Sequence, residues 1–324
     1  MRAAANGVVR IGDLILRLFL VALLGFVLFR LIPGDPVAMV TAGRPTTAAQ
    51  LEAIRRQLHL DRPLPLQFVG YLGDLLHGDL GRSLLYHRPV VDLIGERLGP
   101  TLLLVGTAGV LAMLLGGYTG ALAGWWVDTR LDRVSTSTAL ALWAAPAFWL
   151  GLILLVGLGA GAGPLPALFP TGGMRSFDQS SGPLGTVLDV AQHLVLPGLT
   201  LVAVQIGQYH LMMRASLRSE HGRGYVRLAR AKGLTEEGVL RHALPNAILP
   251  TTTLAVLNLG YLVSGAVAVE AVYSWPGLGY LTFQALQIHD LPLLQGTFLV
   301  FSSTVIIANA AADLLRNRWD PRSR

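Results

Sequence analysis

Few side chains in this sequence are spaced for catalysis, and the common enzyme motifs are absent. Lys232 is the only lysine and is followed by Gly233, whereas a nucleotide-binding P-loop needs a lysine followed by serine or threonine. No His-Glu-x-x-His sequence occurs, and Ala229 stands where a Ser-x-x-Lys hydrolase would carry its serine. Cysteine is absent, which excludes disulfides, thiolate metal sites and cysteine nucleophiles. We therefore expect a chain that is not an enzyme and that holds no metal or other cofactor of its own.

Lys232 lies in a basic segment, residues 214–245, which separates two apolar stretches. Residues 225–232 are compatible with a helix, Gly233 suits a helix terminus, and Thr235-Glu236-Glu237 is typical of a second helix with acidic residues in its first turn. The pattern predicts a helix, a glycine turn and a second helix. Small and basic side chains would let this segment enter a cleft in a partner protein. The alternative is that its seven basic residues only bind anionic lipid and fix the topology.

The elements that must position this segment are apolar. Of the 324 residues, 52% are hydrophobic and 14% are charged, about half the charge usual in a soluble domain. A helix crosses the bilayer with roughly 20 apolar residues, and stretches of about that length cover residues 11–32, 101–124, 135–159, 193–213, 247–271 and 293–315. We predict an all-α polytopic membrane protein with about six transmembrane helices. Glycines that would allow close helix packing are Gly116, Gly117, Gly120, Gly151 and Gly157.

Residues 33–99 interrupt the apolar pattern with many charged side chains. Apolar residues at helical spacing over 51–58 and 68–76 predict at least two amphipathic helices there. We expect an N-terminal tail and first span over 1–32, an extracytoplasmic insertion over 33–99, a five-helix core over 100–315 that includes loop 214–245, and a tail over 316–324. A cleavable signal peptide is the alternative for the first span, but residues 31–36 lack the small-x-small cleavage pattern.

The positions of arginine and lysine predict the orientation. Basic residues occur at the N-terminus, at Arg130 and Arg133, in loop 214–245 and in the C-terminal tail, whereas residues 275–290 contain none. Because cytoplasmic loops retain basic residues, both termini and loop 214–245 are predicted to be cytoplasmic. The basic residues are not interleaved with stacking aromatics, so we expect membrane lipid and protein partners rather than nucleic acid.

The order Ala229-Arg230-Ala231-Lys232-Gly233, followed by Leu244-Pro245, resembles the Glu-Ala-Ala loop of ATP-binding-cassette importer permeases. In that family the loop contains a coupling helix that docks on an ATPase subunit. Arg227 falls where the general motif has glutamate, and the interval from Gly233 to Leu244 is a residue or two shorter than usual. The docking residues that the resemblance implies are Tyr225, Arg227, Ala229, Arg230, Ala231, Lys232, Gly233, Leu234, Leu244 and Pro245.

Further segments, in the same order as in the family, resemble its peptide and nickel branch. They are residues 31–36, residues 60–65, residues 78–83, Glu270 with residues 275–279, and residues 290–292. The resemblance implies an inner-membrane subunit of a bacterial importer that pairs with a second homologous permease. Two cytoplasmic ATPase subunits would bind ATP and Mg²⁺, and an extracytoplasmic binding protein would deliver short peptides. Nickel is the alternative substrate, although no His/Asp/Glu cluster with ligand spacing occurs in the spans.

Polar residues within the predicted spans are candidates for a translocation path, since such groups face partners or water. They are Gln205, Gln208, His210, Asn258 and Asn309. Hydrogen bonding between helices is the alternative role. Glu270, at the outer end of the fifth span, could gate the path or contact the binding protein, or have neither role. The neighbouring residues in this outer group are Trp275, Pro276, Gly277, Gly279 and Asp290.

Two other classes of protein are alternatives to the importer permease. An ion-coupled secondary transporter would need inverted repeats and carboxylates within the membrane, and the spans contain almost no carboxylates. A scaffolding membrane protein would not need an ordered helix-turn-helix in a cytoplasmic loop. The sequence therefore favours the importer permease.

Overall fold

The computed structural model describes residues 2–31, 63–161, 166–176 and 182–319, together with isolated positions between 47 and 52. Over these residues the chain is almost entirely helical and contains no strand, which confirms the all-α class. The predicted amphipathic helix at 51–58 lies almost wholly outside the described residues. The helices are α1 Arg2–Leu31, α2 Leu64–Leu76, α3 Val90–Trp125, α4 Arg130–Ala144, α5 Ala147–Leu154, α6 Pro183–Glu220, α7 Gly224–Ala231, α8 Glu236–Gly265, α9 Val267–Val272, α10 Leu278–Gln287 and α11 Leu291–Trp319.

Within the described residues, four helical segments are long and apolar enough to cross a membrane: Gly12–Arg30, Val90–Trp125, Pro183–Glu220 and Leu291–Ala311. A fifth span exists if Arg130–Ala144 and Ala147–Gly159, which are bent by 103°, are taken together. These segments correspond to five of the predicted spans and confirm a polytopic membrane protein. The predicted span 247–271 is divided between α8 and α9.

The bend in the third predicted span has a local cause. Proline disfavours the helical conformation in the residue before it, and Ala145 before Pro146 is extended, with φ −73° and ψ 133°. Pro146 then serves as the N-cap of α5, which ends in a π-helical turn over Leu155–Gly159. The sequence-based prediction of one continuous helix over 135–159 is therefore replaced by two helices.

The described chain forms two compact units. The first contains Met1–Gly99 and Tyr280–Ala310, and the second contains Pro100–Gly279 and Ala311–Arg324. In the first unit the ring of Phe26 on α1 lies 5.2 Å from that of Phe68 and 5.8 Å from that of Tyr71, both on α2. These aromatic contacts hold α2 against α1.

In the second unit, α3 packs closely on α6 along a stripe of glycines four residues apart. A Cβ added to Gly116 would lie 2.7 Å from the Ile206 carbonyl oxygen, and one added to Gly124 would lie 2.6 Å from that of Arg214. Gly120 meets the backbone between these points in the same way. Such contacts require glycine, as the sequence predicts for Gly116 and Gly120. Open space or ordinary contact surrounds Gly117, Gly151 and Gly157.

The pairing order along this stripe shows that α3 and α6 run parallel. The chain between them must therefore return in the opposite direction. Helix α4 does so, because Gly207 of α6 packs against Ala139 of α4, where an added Cβ would lie 2.5 Å from the Ala139 carbonyl oxygen. Asp132 lies beside Arg214 at the other end of the same pair. The bent pair α4 and α5 thus provides the return that the parallel helices need.

Candidate coupling loop and surrounding polar groups

The predicted helix, glycine turn and second helix are present as α7, residues 232–235 and α8. Gly233 has φ +80°. The Gly233 backbone N–H donates to the Arg230 carbonyl at 2.9 Å, and the Leu234 N–H donates to the Ala229 carbonyl at 3.3 Å. These two bonds form a Schellman motif, which ends a helix through a left-handed residue and so favours glycine. Gly233 therefore fixes where α7 ends.

One face of α7 is buried against its own chain. Val226 is fully buried and Ala229 is 7% exposed, and both pack with Leu217 of α6 and with Val239 and Ala243 of α8. Residues three apart lie on the same face of a helix. Ala229, one of the residues implied to dock on the ATPase, thus faces the interior and helps to seat α7.

The opposite face of α7 is exposed and mixes basic and apolar side chains. Leu228 is 56% exposed at its centre. The docking residues implied by the sequence did not include Leu228. Its position directly after Arg227 and two residues before Arg230 could have indicated that it belongs to the same surface. Of the implied docking residues, those exposed are Tyr225, Arg227, Arg230, Ala231, Lys232, Gly233 and Pro245, and those half-buried are Leu234 and Leu244.

An ion pair closes the glycine turn. Nε and Nη2 of Arg230 donate to the two carboxylate oxygens of Glu236 at 2.9 and 3.1 Å. These bonds hold the pKa of the Glu236 carboxyl below its usual range. The Arg230 guanidinium also lies 5.6 Å from the ring of Trp125 at the end of α3, and that ring packs on His221. Burial, followed by the charge of Arg230, lowers the pKa of His221. The turn is thereby attached to the ends of α3 and α6.

The start of α7 is anchored separately. The Tyr225 hydroxyl donates to a carboxylate oxygen of Glu220, the last residue of α6. Burial and this bond raise the pKa of Tyr225. Both ends of α7 are therefore held by side-chain contacts.

A buried ion pair joins α4 to α6 close to this loop, and sequence inspection did not find it. Nε and Nη2 of Arg214 donate to Asp132 at 2.6 and 2.9 Å, and the Asp132 side chain is 2% exposed. Asp132 also accepts from the Asp128 N–H at 3.0 Å and from the Thr136 hydroxyl at 3.2 Å. The only sequence signal was an acidic residue in a first helical turn after the N-cap Thr129, which is ordinary in solvent-exposed helices.

His210, one of the candidates for a translocation path, is fully buried between three helices. Its ring nitrogens lie 3.1 Å from the hydroxyl of Thr119 on α3 and 3.1 Å from that of Thr136 on α4. Thr136 also contacts Asp132. His210 therefore makes the interhelical hydrogen bonds that were weighed as the alternative to a path.

The other path candidates differ in their surroundings. Gln205 is buried on α6, and its Oε1 has no hydrogen-bond partner in the part of the chain that the structure describes. Gln208 is half-buried, and Asn258 Nδ2 donates to the Tyr209 hydroxyl at 3.3 Å. Asn309 belongs to the other compact unit, and its Oδ1 likewise has no partner within the described ranges. Contact with substrate stays a prediction for these residues.

Glu270 is a fully buried carboxylate on α9, next to the turn that was predicted to face outwards. The Thr101 hydroxyl donates to Glu270 Oε1 at 2.8 Å and accepts from the Leu278 N–H at 2.7 Å. The Trp275 N–H donates to the Glu270 carbonyl at 2.9 Å, and its indole N–H donates to a carbonyl on α3 at 3.0 Å. These bonds fold the turn after α9 onto the beginning of the second unit's part of α3.

Two glycines make room for this carboxylate. A Cβ at Gly277 would overlap the Glu270 carboxylate, and one at Gly279 would lie 3.0 Å from Glu270 Oε2. Trp275, Gly277 and Gly279 are buried, and Pro276 is half-buried. In this conformation the turn therefore presents little surface to an external protein, and a gating or docking role for it stays a prediction.

Asp290 connects two of the family-like segments within the first unit. It is buried, and its Oδ2 accepts from the Ser83 hydroxyl at 2.6 Å and from the N–H groups of Leu84 and Leu85 at 2.9 and 3.1 Å. Its Oδ1 accepts from the Leu293 N–H at 3.2 Å in the first turn of α11. Asp290 thus caps a helix and holds the end of segment 78–83.

Apolar spans with a capped, partly basic helix between two of them fit the class of membrane-embedded transport permeases. The chain belongs to the family described as binding-protein-dependent transport system inner membrane component, whose model matches residues 112–324. The corresponding N-terminal model matches residues 7–105. These matches confirm the importer permease of the ATP-binding-cassette type and its peptide and nickel branch.

Similar proteins cover almost the whole chain. The glutathione transport system permease protein GsiC of Escherichia coli O6:H1 strain CFT073 is 37% identical over 317 residues, which are 97% of this chain and 97% of that protein. GsiC of Escherichia coli strain K12 and of Shigella dysenteriae serotype 1 are each 36% identical over the same share of both chains. The similarity therefore includes the loop and both compact units.

Proposed function

We propose that this chain is the translocation subunit of an importer that carries short peptides, of the size class of glutathione, across the bacterial inner membrane. The observation that carries the coupling half of the proposal is the exposed face of α7, held rigid by Gly233 at one end and Tyr225 at the other. The substrate half is supported by relatives that are named for glutathione transport.

The proposed partners follow from the family. A second homologous permease completes the path, an extracytoplasmic binding protein delivers substrate, and two cytoplasmic ATPase subunits bind ATP and Mg²⁺. This chain supplies no step of ATP hydrolysis. Both termini and loop 214–245 are assigned to the cytoplasm, since that loop carries seven basic residues. Gln205, Gln208 and Asn258 are proposed to line the path within the second unit, and Glu270 is proposed to hold its outer turn closed.

In this proposal α7 transmits movement of the ATPase to the spans. Leu228, Arg227 and Lys232 contact the ATPase, with an apolar centre and a basic rim. Force on α7 passes to α8 through Val226 and the Schellman turn, and to α3 through the contact between Arg230 and Trp125. Because these attachments are rigid, displacement of α7 changes the arrangement of the spans, as in other two-state transporters.

The test uses the complete importer, with this chain copurified with its partner permease and ATPases and reconstituted in liposomes. Leu228→Asp should weaken retention of the ATPase roughly 30-fold, since removing one buried leucine contact forfeits about 2 kcal/mol. Uptake of labelled peptide should fall in parallel. The matched control is Leu184→Asp, the same change at a 74% exposed leucine at the start of α6, on the side predicted to be external.

Different outcomes contradict different halves of the proposal. Uptake without any ATPase, or full ATPase retention and transport by Leu228→Asp, would refute the coupling role. A substrate panel of dipeptides, tripeptides including glutathione, and Ni²⁺ tests the peptide half. Uptake of Ni²⁺ alone from that panel would refute the peptide assignment and leave the coupling role intact.

A further inference from the structure

Helix α2 packs beside the interior of the first span and not only beside its end. The ring of Phe68 on α2 lies 5.8 Å from that of Phe19 and 5.2 Å from that of Phe26, both on α1. Tyr71, about one turn further along α2, lies 5.8 Å from Phe26. Phe68 therefore lies beside the stretch of α1 between Phe19 and Phe26.

The length of the α1 span determines the depth of these contacts. The apolar segment Gly12–Arg30 has 19 residues and is therefore about 28 Å long. Since the hydrocarbon core of a bilayer is roughly 30 Å thick, α1 needs the whole segment to cross it. Phe19 and Phe26 lie about 16 and 6 Å from Arg30 along the helix axis. Phe68, which contacts both rings, is therefore well inside the hydrocarbon core.

The other end of α2 lies near the end of the same span. Asp74 lines one cavity with Arg30, where the α1 span ends, and with Leu291, where the α11 span begins. Asp74 is about 9 Å further along α2 than Phe68. Helix α2 thus rises from the interior of the bilayer towards its boundary. With 13 residues it is about 20 Å long, which is too short to cross the bilayer and typical of a re-entrant segment.

The start of α2 is suited to a position away from water. Helices usually begin at a polar side chain that caps open N–H groups, whereas α2 follows Pro63, which makes no side-chain cap bond. Pro65 has no N–H to satisfy. The N–H groups of Leu66 and Gln67 both donate to the Pro63 carbonyl, at 2.9 and 3.1 Å. At most the Leu64 N–H stays open, and open backbone groups are costly in hydrocarbon.

The outer face of α2 is apolar. Leu64, Leu66 and Val69 are 60%, 55% and 64% exposed, and α2 carries no charged side chain before Asp74. We propose that α2 is a re-entrant helix whose exposed face contacts lipid acyl chains inside the bilayer. This face continues the apolar surface of α1, where Leu24 is 50% exposed. This part of the predicted extracytoplasmic insertion is then an anchor in the membrane rather than a surface for the binding protein.

The experiment measures the depth of α2 with spin labels. The chain has no cysteine, so a single introduced cysteine can be labelled in the complete importer, reconstituted in liposomes with any cysteine of the partner subunits replaced by serine. Relaxation of the label by oxygen, which concentrates in hydrocarbon, is compared with relaxation by chromium oxalate, which stays in water. The test variant is Val69→Cys. Leu20→Cys and Leu28→Cys, on the exposed side of α1, are the depth references. Leu85→Cys is the matched control, since Leu85 is 45% exposed on the loop after α2.

The oxygen-to-chromium ratio at Val69→Cys should lie between those at Leu20→Cys, near the centre of the span, and Leu28→Cys, near its end. It should be several-fold higher than the ratio at Leu85→Cys. Leu66→Cys lies deeper on α2, should give a ratio at least as high, and replaces Val69→Cys if that variant does not assemble. A ratio equal to that of the control would place α2 in water and overturn the proposal. Weak relaxation by both reagents would also overturn it, because protein rather than lipid would then cover α2.

Discussion

Replacing Gly233 with alanine should loosen the end of α7, and the size of the effect follows from the backbone alone. A Cβ at Gly233 would meet nothing within 4 Å, so the substitution creates no clash. Its φ of +80° is left-handed, and a residue with a Cβ adopts this region at a cost of roughly 1–2 kcal/mol. The population in which the Schellman turn is open should therefore rise about 5- to 30-fold. Asparagine tolerates this conformation better, so Gly233→Asn should have a smaller effect.

Amide hydrogen exchange measures this opening directly. Exchange at residues 226–231 should accelerate in Gly233→Ala by the same factor, if α7 opens as a unit. The rate of ATP-coupled uptake should fall, while ATP hydrolysis by the complex continues, because the force on α7 is then partly absorbed by the turn. Gly222→Ala is the matched control, since Gly222 is exposed, has open space around it and lacks a positive φ.

The explanation rests on the order of the variants. Gly222→Ala should exchange and transport like the unmutated protein, Gly233→Asn should be intermediate, and Gly233→Ala should be most affected. Equal exchange in all four proteins would refute the claim that the left-handed turn holds α7. Loss of uptake in Gly233→Ala with unchanged exchange would instead assign Gly233 to direct contact with the ATPase.

Three further predictions concern the same half of the molecule. Asp132→Ala leaves the largely buried Arg214 unpaired and should lower the free energy of unfolding by about 3 kcal/mol. The thermal midpoint measured in detergent should fall accordingly. Replacing both Asp132 and Arg214 with apolar residues should restore part of the lost stability. The chain has no cysteine, so a single introduced cysteine reports which side of the membrane it faces. Lys232→Cys should react with an impermeant maleimide only from the cytoplasmic side, and Leu184→Cys only from outside. The opposite result would show that the predicted orientation of the chain is reversed. Pairing with Arg230 lowers the pKa of the Glu236 carboxyl. The ion pair therefore stabilises the turn fully above the pKa of glutamate in the unfolded chain, about 4.3. This stabilisation is lost as the pH falls through the lower pKa that Glu236 has in the folded chain. Exchange of α7, corrected for its intrinsic rate, should increase below about pH 5, and Glu236→Gln should weaken this increase, because the Glu220 carboxylate at the other end of α7 is unchanged.

Local chemistry made part of this structure predictable. Gly233 follows a helical pattern and precedes two acidic residues, and both signals concern neighbours in the chain. Pro146 also acts locally, yet it was included in a continuous span, because proline kinks many membrane helices without ending them. The apolar stretches were found because about 20 apolar residues in a row are rare outside membranes.

Long-range pairs were not predictable in the same way. Asp132 and Arg214 are 82 positions apart, and each looks like an ordinary charged residue near a helix end. The sequence placed Glu270 at a span end, as a gate, a contact for the binding protein or a residue with neither role, and gave no sign of its burial. It is fully buried because Gly277 has no side chain to exclude it. Both arrangements depend on which helices pack together, and one sequence does not contain that information.

The glycine stripe on α3 also bears on how α3 and α6 are aligned along their axes. Three glycines four residues apart make the surface nearly self-similar, so a slide of about 6 Å would again place glycine opposite the backbone of α6 at two of three positions. The short distance between α3 and α6 therefore does not by itself select one axial alignment of the two helices. The hydrogen bond between Thr119 on α3 and His210 on α6 joins atoms that meet in only one of these alignments. Glycine thus sets the distance between the two helices, and the polar contact sets their alignment along the helix axes.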